Sequence, residues 1–262
     1  MLDERRCQEI FEKVLKYSDA DETEALIGGG VHALTRFANN TIHQNVAEEG
    51  YLLSVRTVYE GKTARATTNN FDEESLRRVV AESASVARQQ QPNPDLLPMP
   101  GPGERRRVNR WFEETAALTP QERAEGVRRA VEVARRNGQT AAGVFSSGAT
   151  LQAILNSRGL FAHHRETHSE FSITMLASTS SGWAKANHPD VRRIPVEELA
   201  LRASAKAAAS ANPREVAPGR YTVILEPAAV LDLLGFITHD FSGLAVHDQR
   251  SFLTGRLGAR LF

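Results

Sequence analysis

The chain has 262 residues, of which 41% are hydrophobic and 24% charged, so it can build a buried core and is not disordered as a whole. Lysine plus arginine and aspartate plus glutamate each number 32, and this neutral balance argues against a direct nucleic-acid binder or an electrostatic membrane anchor. Arg105-Arg106-Arg107 is a local basic patch. The single cysteine, Cys7, excludes an intrachain disulfide, and neither a leader peptide nor a membrane-spanning run is recognised, so a soluble cytoplasmic protein is expected.

The first 91 residues predict an α+β domain built on an antiparallel β-meander. A helix is expected over residues 3–17, because apolar residues recur there at helical spacing. Strand-like runs follow at residues 24–27, 33–38, 42–48, 51–59 and 62–67. The run Gly28-Gly29-Gly30 predicts a turn or bulge, while Asn39-Asn40 and Glu60-Gly61 predict hairpin turns. A second helix is expected from the Asp72 cap to about residue 90.

A proline-rich linker is predicted at 92–110, because five prolines between residues 92 and 103 exclude a helix or an inner strand. A second α+β domain is expected over 111–217. Its first helix begins at a Thr119–Glu122 capping box. Strands are expected at 140–146, 150–156 and 160–177, with a turn at 156–159, a Ser/Gly-rich loop around Trp183 and a helix at 195–211.

A third unit is predicted to begin at residue 218. Tyr221–Leu225 has the composition of a strand, and Glu226-Pro227 introduces a helix. We expect the segment 218–262 to be the beginning of a truncated, β-rich C-terminal domain. The predicted fold class of the whole chain is α+β, and no internal repeat is visible in the sequence.

Several phrases, in order along nearly the whole chain, resemble the TldD/PmbA family of metalloprotease subunits (PmbA is also called TldE). They are Arg36–Gln44, Ser54–Arg56, Gly61–Asn69, Asn156–Gly159, Pro218–Val230 and Arg250–Gly258. Within these phrases we expect a peptide-guiding or structural role for Arg36, Asn39, Asn40, Arg56, Asn156, Gly159, Arg250 and Ser251.

The resemblance implies a pair of subunits. TldD-type subunits carry a His-Glu-x-x-x-His zinc motif on the helix after the Glu226-Pro227-like turn, and they pair with PmbA/TldE-type subunits that lack it. The pair cleaves unfolded peptides in a closed chamber. The family is also linked to antitoxin turnover and to modulation of DNA gyrase.

This chain departs from the zinc motif. His239-Asp240 imitates the His-Glu pair, but the position of the second histidine is Leu244, and His247 stands at a different spacing. His239 and His247 are therefore candidate metal ligands and Asp240 is a candidate catalytic base only for a divergent site.

Other candidate chemistry is sparse. His164 and His168 share one face of a predicted strand next to His163, but no carboxylate or cysteine accompanies them at a diagnostic spacing. His32 and His43 are expected to be structural. Cys7 has no histidine nearby in sequence and is expected to be an incidental thiol rather than a nucleophile.

Three functions stay open. The favoured hypothesis is a non-catalytic PmbA/TldE-type subunit that contains no zinc and pairs with a zinc-bearing TldD-type subunit, or with itself, around an unfolded peptide. In it, a strand edge of the N-terminal meander binds the peptide by β-addition. The second is a divergent zinc peptidase using His239, Asp240 and His247, and the third is a non-enzymatic adaptor for gyrase or antitoxin-type proteins.

Overall fold

The computed structural model describes residues 1–104 and 108–261, so the Arg105-Arg106-Arg107 patch lies outside the described residues. The chain divides into two compact units. The first is Met1–Pro213 and the second begins at Arg214.

One six-stranded antiparallel sheet organises the first unit, in the order β3-β2-β1-β4-β5-β6. The strands are β1 Glu22–Ala38, β2 Thr41–Tyr59, β3 Lys62–Thr68, β4 Thr140–Asn156, β5 Phe161–Leu176 and β6 Ser181–His188. β1 pairs with β4 over residues 24–37 and 143–156, so the strands predicted for two separate domains share one sheet. The α+β class is confirmed.

Two helices cover the N-terminal half of the sheet. α1 spans Glu4–Tyr17 and is capped by Asp3. α2 spans Glu73–Gln89 and begins at the predicted cap, Asp72. Their apolar stripes bury one cluster against alternate residues of β1, β2 and β4. The cluster includes Ile10, Phe11, Val14, Ile27, Leu53, Val55, Leu76, Val79 and Leu151.

The central half repeats this order of elements. A short helix, α3 (Glu113–Ala116), precedes α4 (Pro120–Arg136), which begins with the predicted capping box at Thr119 and Glu122. After β6 comes α5 (Val196–Ala209). α4 and α5 bury a second cluster that includes Phe37, Val127, Phe145, Phe171, Ile173, Met175 and Leu199. Both halves therefore run helix, three antiparallel strands, helix, a repeat of topology that the sequence does not reveal.

The predicted glycine break does not occur, because β1 runs without interruption through Gly28, Gly29 and Gly30. Gly29 and Gly30 have φ of 149° and 156°, values that L residues rarely adopt, and a β-carbon on Gly30 would lie 2.0 Å from the Ala149 carbonyl oxygen. The glycines therefore allow close approach of neighbouring strands. A Ser/Gly-rich loop around Trp183 was a second wrong prediction, since Trp183 lies in β6.

The predicted turns are confirmed. Asn39 and Asn40 have φ of 51° and 59°, and Glu60 and Gly61 have φ of 50° and 76°, which is the left-handed pair that a two-residue hairpin requires. Gly159 has φ of 86° in the turn between β4 and β5.

The proline-rich segment has no helix or strand over residues 91–104, as expected. It nevertheless packs against the sheet, since Met99 is buried and its N–H donates to Glu22 Oε2 at 3.0 Å. Beyond the undescribed residues, Arg110 forms a parallel bridge with Glu166 of β5. The segment is therefore a packed strap.

The second unit contains α6 (Pro227–Thr238), a 3-10 turn at His239–Phe241 and α7 (Gly243–His247). The helix after Glu226-Pro227 is confirmed, but no strand forms over Tyr221–Leu225 or elsewhere in the described part of this unit. A β-rich character is therefore not seen for residues 214–261, because no partner strand is present to satisfy the backbone of residues 221–225. Of the helices described here, none is long and apolar enough to cross a membrane.

Candidate functional site on the open face of the sheet

Within the first unit, the helices among the described residues all pack on one face of the sheet, and the other face carries none of them. Side chains alternate between the two faces of a strand. In β1, Ala25, Ile27 and Phe37 belong to the clusters under the helices and Thr35 accepts from Arg123 of α4, so the odd-numbered positions face the helices. The even-numbered residues of β1, with their neighbours in register, form what we call the open face. It exposes apolar side chains, including Leu26, Leu52, Leu176 and Trp183.

An Arg–Glu cluster marks the N-terminal half of the open face. Glu24 is largely buried and accepts from Arg56 Nη2 at 3.3 Å and from Arg65 Nη2 at 2.9 Å. Arg65 also donates to Ser54 Oγ at 3.0 Å. The Arg56 Nε–H is buried without an acceptor among the described residues. Two guanidinium groups thus share one carboxylate, which leaves the cluster with a positive surplus.

A cavity of about 520 Å³ lies in the central half of the open face, where Arg36, Arg110 and Asn187 contribute to its walls. Arg36 is exposed and donates to Gln44 Oε1 at 3.3 Å. Arg110 Nε donates to Glu166 Oε2 at 2.6 Å. The cavity therefore offers polar groups of both charges, since the Glu170 carboxylate also lines it, beside the apolar side chains of Leu34 and Val144.

His32 and His168 meet at the edge of this cavity. Their rings stack with centroids 5.6 Å apart, and His32 Nδ1 lies 3.3 Å from His168 Nε2. The sequence indicated His164 with His168 and left His32 as an isolated structural residue. His32 stands 136 positions away in sequence, so only the register of the sheet could reveal the pair.

The His163–His168 cluster is split between faces. His163 points to the helix side, where a cleft of about 610 Å³ is lined by the start of α1, Val31 and Trp111. Its Nε2 atom is buried without a partner in the described residues, and burial lowers the pKa of its imidazole. His164 is exposed on the open face, 3.9 Å from Glu166.

Four of the motif residues shape turns. Asn40 donates to the Gln139 carbonyl at 3.1 Å and accepts from the Ala141 N–H at 2.7 Å, which ties the first hairpin to β4. Asn156 is buried, donates to the Pro100 carbonyl at 2.8 Å and accepts from the N–H groups of Arg158 and Leu160. Asn39 and Gly159 supply positive φ. These contacts assign all four a part in turn geometry, and whether they also guide a peptide stays a prediction.

The remaining candidates lie in the second unit. Ser251 Oγ donates to the Asp240 carbonyl at 2.7 Å, and Arg250 Nη2 donates to Asp248 Oδ2 at 2.9 Å. His239 stands in the 3-10 turn and His247 ends α7.

The family's zinc ion does not fit this donor set. In residues 1–104 and 108–261, no three His, Cys, Asp or Glu side chains are grouped so that they could hold a metal ion. At the place of the motif's second histidine stands Leu244, an exposed side chain without a ligand atom. The segment around His239 therefore lacks the ligand set of the family's zinc motif.

Three family domain profiles match the chain in order. Residues 24–87 match the PmbA/TldA metallopeptidase domain 1, residues 113–211 the central domain and residues 218–262 the C-terminal domain. Together these segments cover most of the chain. No curated protein matches the sequence.

Solved structures show the same fold at low sequence identity. A protein described as a modulator of DNA gyrase from Thermotoga maritima aligns with TM-score 0.87 and 17% identity over 95% of this chain and 59% of its own. TldE from Thermococcus kodakarensis aligns with TM-score 0.77 and 18% identity over 95% of this chain and 58% of its own. A modulator of DNA gyrase from Bacteroides thetaiotaomicron aligns with TM-score 0.78 and 16% identity over 97% and 61%. The chain thus spans about three-fifths of the length of these proteins.

Proposed function

Because the chain belongs to the PmbA/TldD metallopeptidase family, we propose that it acts as the non-catalytic, PmbA/TldE-type subunit of a two-subunit peptidase. In this proposal a TldD-type partner holds the zinc ion and cleaves the bond. The present chain contributes the open face as a surface along which an unfolded peptide is guided. The absence of an intrachain disulfide suits a cytoplasmic setting for such a pair.

One observation carries the non-catalytic role, namely the interruption of the helix at Ser242. α6 ends at Thr238, and Ser242 adopts an extended conformation with φ −65° and ψ 124°. Ser242 then caps α7 by accepting from the Ala245 N–H at 3.4 Å. His239 and position 244 therefore lie on different short elements, whereas the family motif needs its ligands on one helix.

Two features of the first unit support a peptide-guiding role. The open face alternates exposed leucines with polar groups, which suits contact with peptides of varied sequence. In addition, β3 pairs with β2 only from Leu53 to Tyr59, so the outer edge of β2 from Thr41 to Leu52 has no strand beside it among the described residues. Such an edge is able to add an extended peptide through backbone hydrogen bonds.

The first experiment measures zinc content and hydrolysis of an unfolded peptide. It compares the chain alone, a TldD-type subunit from the same source alone, and the mixture, with wild-type chain and with His239→Ala. We expect no stoichiometric zinc in this chain and hydrolysis that appears or rises only in the mixture, unchanged by His239→Ala. Zinc and hydrolysis by the chain alone, both lost in His239→Ala, would establish the divergent peptidase instead.

A second experiment tests the open face. Leu52→Asp places a charge on that face, and Val86→Asp places the same charge on the exposed side of α2. We expect Leu52→Asp to raise the KM of the mixture for the peptide by about tenfold, as loss of one apolar contact predicts, and Val86→Asp to leave it unchanged. Equal effects would argue against guidance by this face. Binding of a gyrase or antitoxin-type protein with no effect on hydrolysis would favour the adaptor.

A further inference from the structure

One row of the sheet brings two distant histidines together. In the register of the strands, Gly148 of β4 lies opposite His32 of β1 on one side and opposite His168 of β5 on the other. All three positions face the open side of the sheet. The two imidazoles therefore approach each other across the strand that separates them.

The glycine between them is required for this approach. A β-carbon at position 148 would lie 2.5 Å from Cε1 and Nε2 of His168 and 2.4 Å from the Val31 carbonyl oxygen. Both distances are shorter than any van der Waals contact. Any other residue would displace the His168 ring, so the sequence at position 148 keeps the space over β4 free for the pair.

The spacing of the ring nitrogens matches a metal site. Two imidazole ligands of a tetrahedral ion, each with a metal–nitrogen distance of roughly 2.0–2.1 Å, have nitrogens roughly 3.3–3.4 Å apart. His32 Nδ1 and His168 Nε2 are 3.3 Å apart. We propose that these two atoms form a two-imidazole site for a divalent first-row transition ion such as Zn²⁺, Ni²⁺ or Cu²⁺, with water in the remaining positions.

The surroundings suit a neutral ligand pair. Burial lowers the pKa of the His168 imidazole, and the neighbouring His32 lowers it further, against opposing contributions from Glu166 and Glu170. The lowered pKa favours the neutral form of the His168 ring, which is the form that binds a metal ion. Glu166 is paired with Arg110 and Glu170 with Lys185, at 2.6 Å and 2.8 Å, so neither carboxylate is assigned as a ligand. Binding requires both facing nitrogens to be unprotonated, so each neutral ring must carry its proton on the outer nitrogen.

This site is independent of the proposed peptidase role. It lies in the first unit, on strands β1 and β5, whereas the family's zinc motif corresponds to the segment after α6. It also does not require a partner subunit. Failure of this chain to bind a metal ion at the pair would leave the proposed function unaffected. Failure of the proposed function would likewise leave the metal site untouched.

The test uses the metal-free full chain at pH 7.5. Titration calorimetry with Zn²⁺ gives stoichiometry and affinity, and electron paramagnetic resonance with Cu²⁺ counts the bound nitrogens. We expect one ion per chain and couplings from two imidazole nitrogens. His32→Gln and His168→Gln are each expected to weaken binding by at least about 10–100-fold. Loss of a group that only hydrogen-bonds to a metal ligand already has an effect of that size, and these variants remove a ligand itself. Binding by the wild type should also weaken as the pH is lowered, because protons compete with the ion for the ring nitrogens.

Two matched variants serve as controls. His164→Gln removes an exposed histidine from the same face of the same strand, and His239→Gln removes the candidate ligand of the second unit. Both are expected to bind as the wild type does, and circular dichroism checks that all four variants fold. The proposal is overturned if the wild type binds no ion at the pair, which leaves a simple hydrogen bond, or if a control variant abolishes binding while His32→Gln does not.

Discussion

The two halves of the sheet follow the same plan and differ in what they bury and cover. At the fourth residue of the long helix that precedes its strands, the N-terminal half buries Cys7 in α1, whereas the central half buries Arg123 in α4. The outer edge of β5 is bridged by the segment at Arg110, whereas the matching edge of β2 has no described partner. Apolar patterning and turns therefore specify the shared topology. Single residues at matching positions determine which interactions stabilise each half.

Arg123 should have the largest effect. Its guanidinium donates to the Leu118 carbonyl at 3.1 Å and, at 3.3 Å, to Thr35, Asn45 and Ser147, all of them neutral acceptors. Burial lowers the pKa of the guanidinium, but it stays charged. We expect Arg123→Ala to lower the free energy of unfolding by about 3–5 kcal/mol, because it opens a cavity and leaves buried acceptors without donors.

Urea denaturation measures this loss, and Cys7→Ala at the matching position is the control. Removing one small sulfur group should cost only about 1 kcal/mol. A similar decrease in the free energy of unfolding for the two variants would contradict the claim that different interactions stabilise the two halves.

Gly30 tests the seam where the halves join. Gly30→Ala forces a β-carbon against the Ala149 carbonyl oxygen at an unfavourable φ, so we expect a loss of about 2–4 kcal/mol. Gly28→Ala, two residues away in the same strand, meets open space and should cost less than about 1 kcal/mol. Thermal unfolding of both variants measures the difference. An equal shift in Tm would mean that the pairing of β1 with β4 does not require glycine at position 30.

Asn156 tests the hairpin of the central half. Its side chain makes three hydrogen bonds in a buried position, to Pro100, Arg158 and Leu160. Asn156→Ala should cost about 1–3 kcal/mol, and hydrogen exchange at Leu160 should increase. If stability and exchange at Leu160 are both unchanged, the turn forms without the side chain and the strap is not anchored there.

Cys7 should give the smallest change in stability but a clear chemical difference. Burial, followed by Asp3 and Glu4, raises the pKa of its thiol from 9.0 to about 11. At pH 8 alkylation of the folded chain should be about 100-fold slower than in urea, because less thiolate is present. Since the folded pKa is the higher one, this group's contribution to stability is full below about pH 9 and declines towards about pH 11. Rapid labelling of the native chain would contradict the assigned burial.

The sequence by itself determined the elements whose causes are local. Helical spacing with caps at Asp72 and Thr119 located the helices, and residues tolerant of positive φ at Asn39-Asn40 and Glu60-Gly61 located the hairpins. Two of the family phrases, Arg36–Gln44 and Gly61–Asn69, include residues of these hairpins, and the resemblance and the α+β class followed from the sequence.

Only the tertiary structure decided the relations between distant strands. In it, β1 pairs with β4, so the strands predicted for two domains form one sheet. β1 also continues through the glycine run, and His32 lies across Gly148 from His168. The segment 221–225 had the composition of a strand but has no partner in the described residues. The physical reason is the same in each case, because pairing and register depend on backbone groups far apart in sequence, and no local pattern records which strand lies beside which.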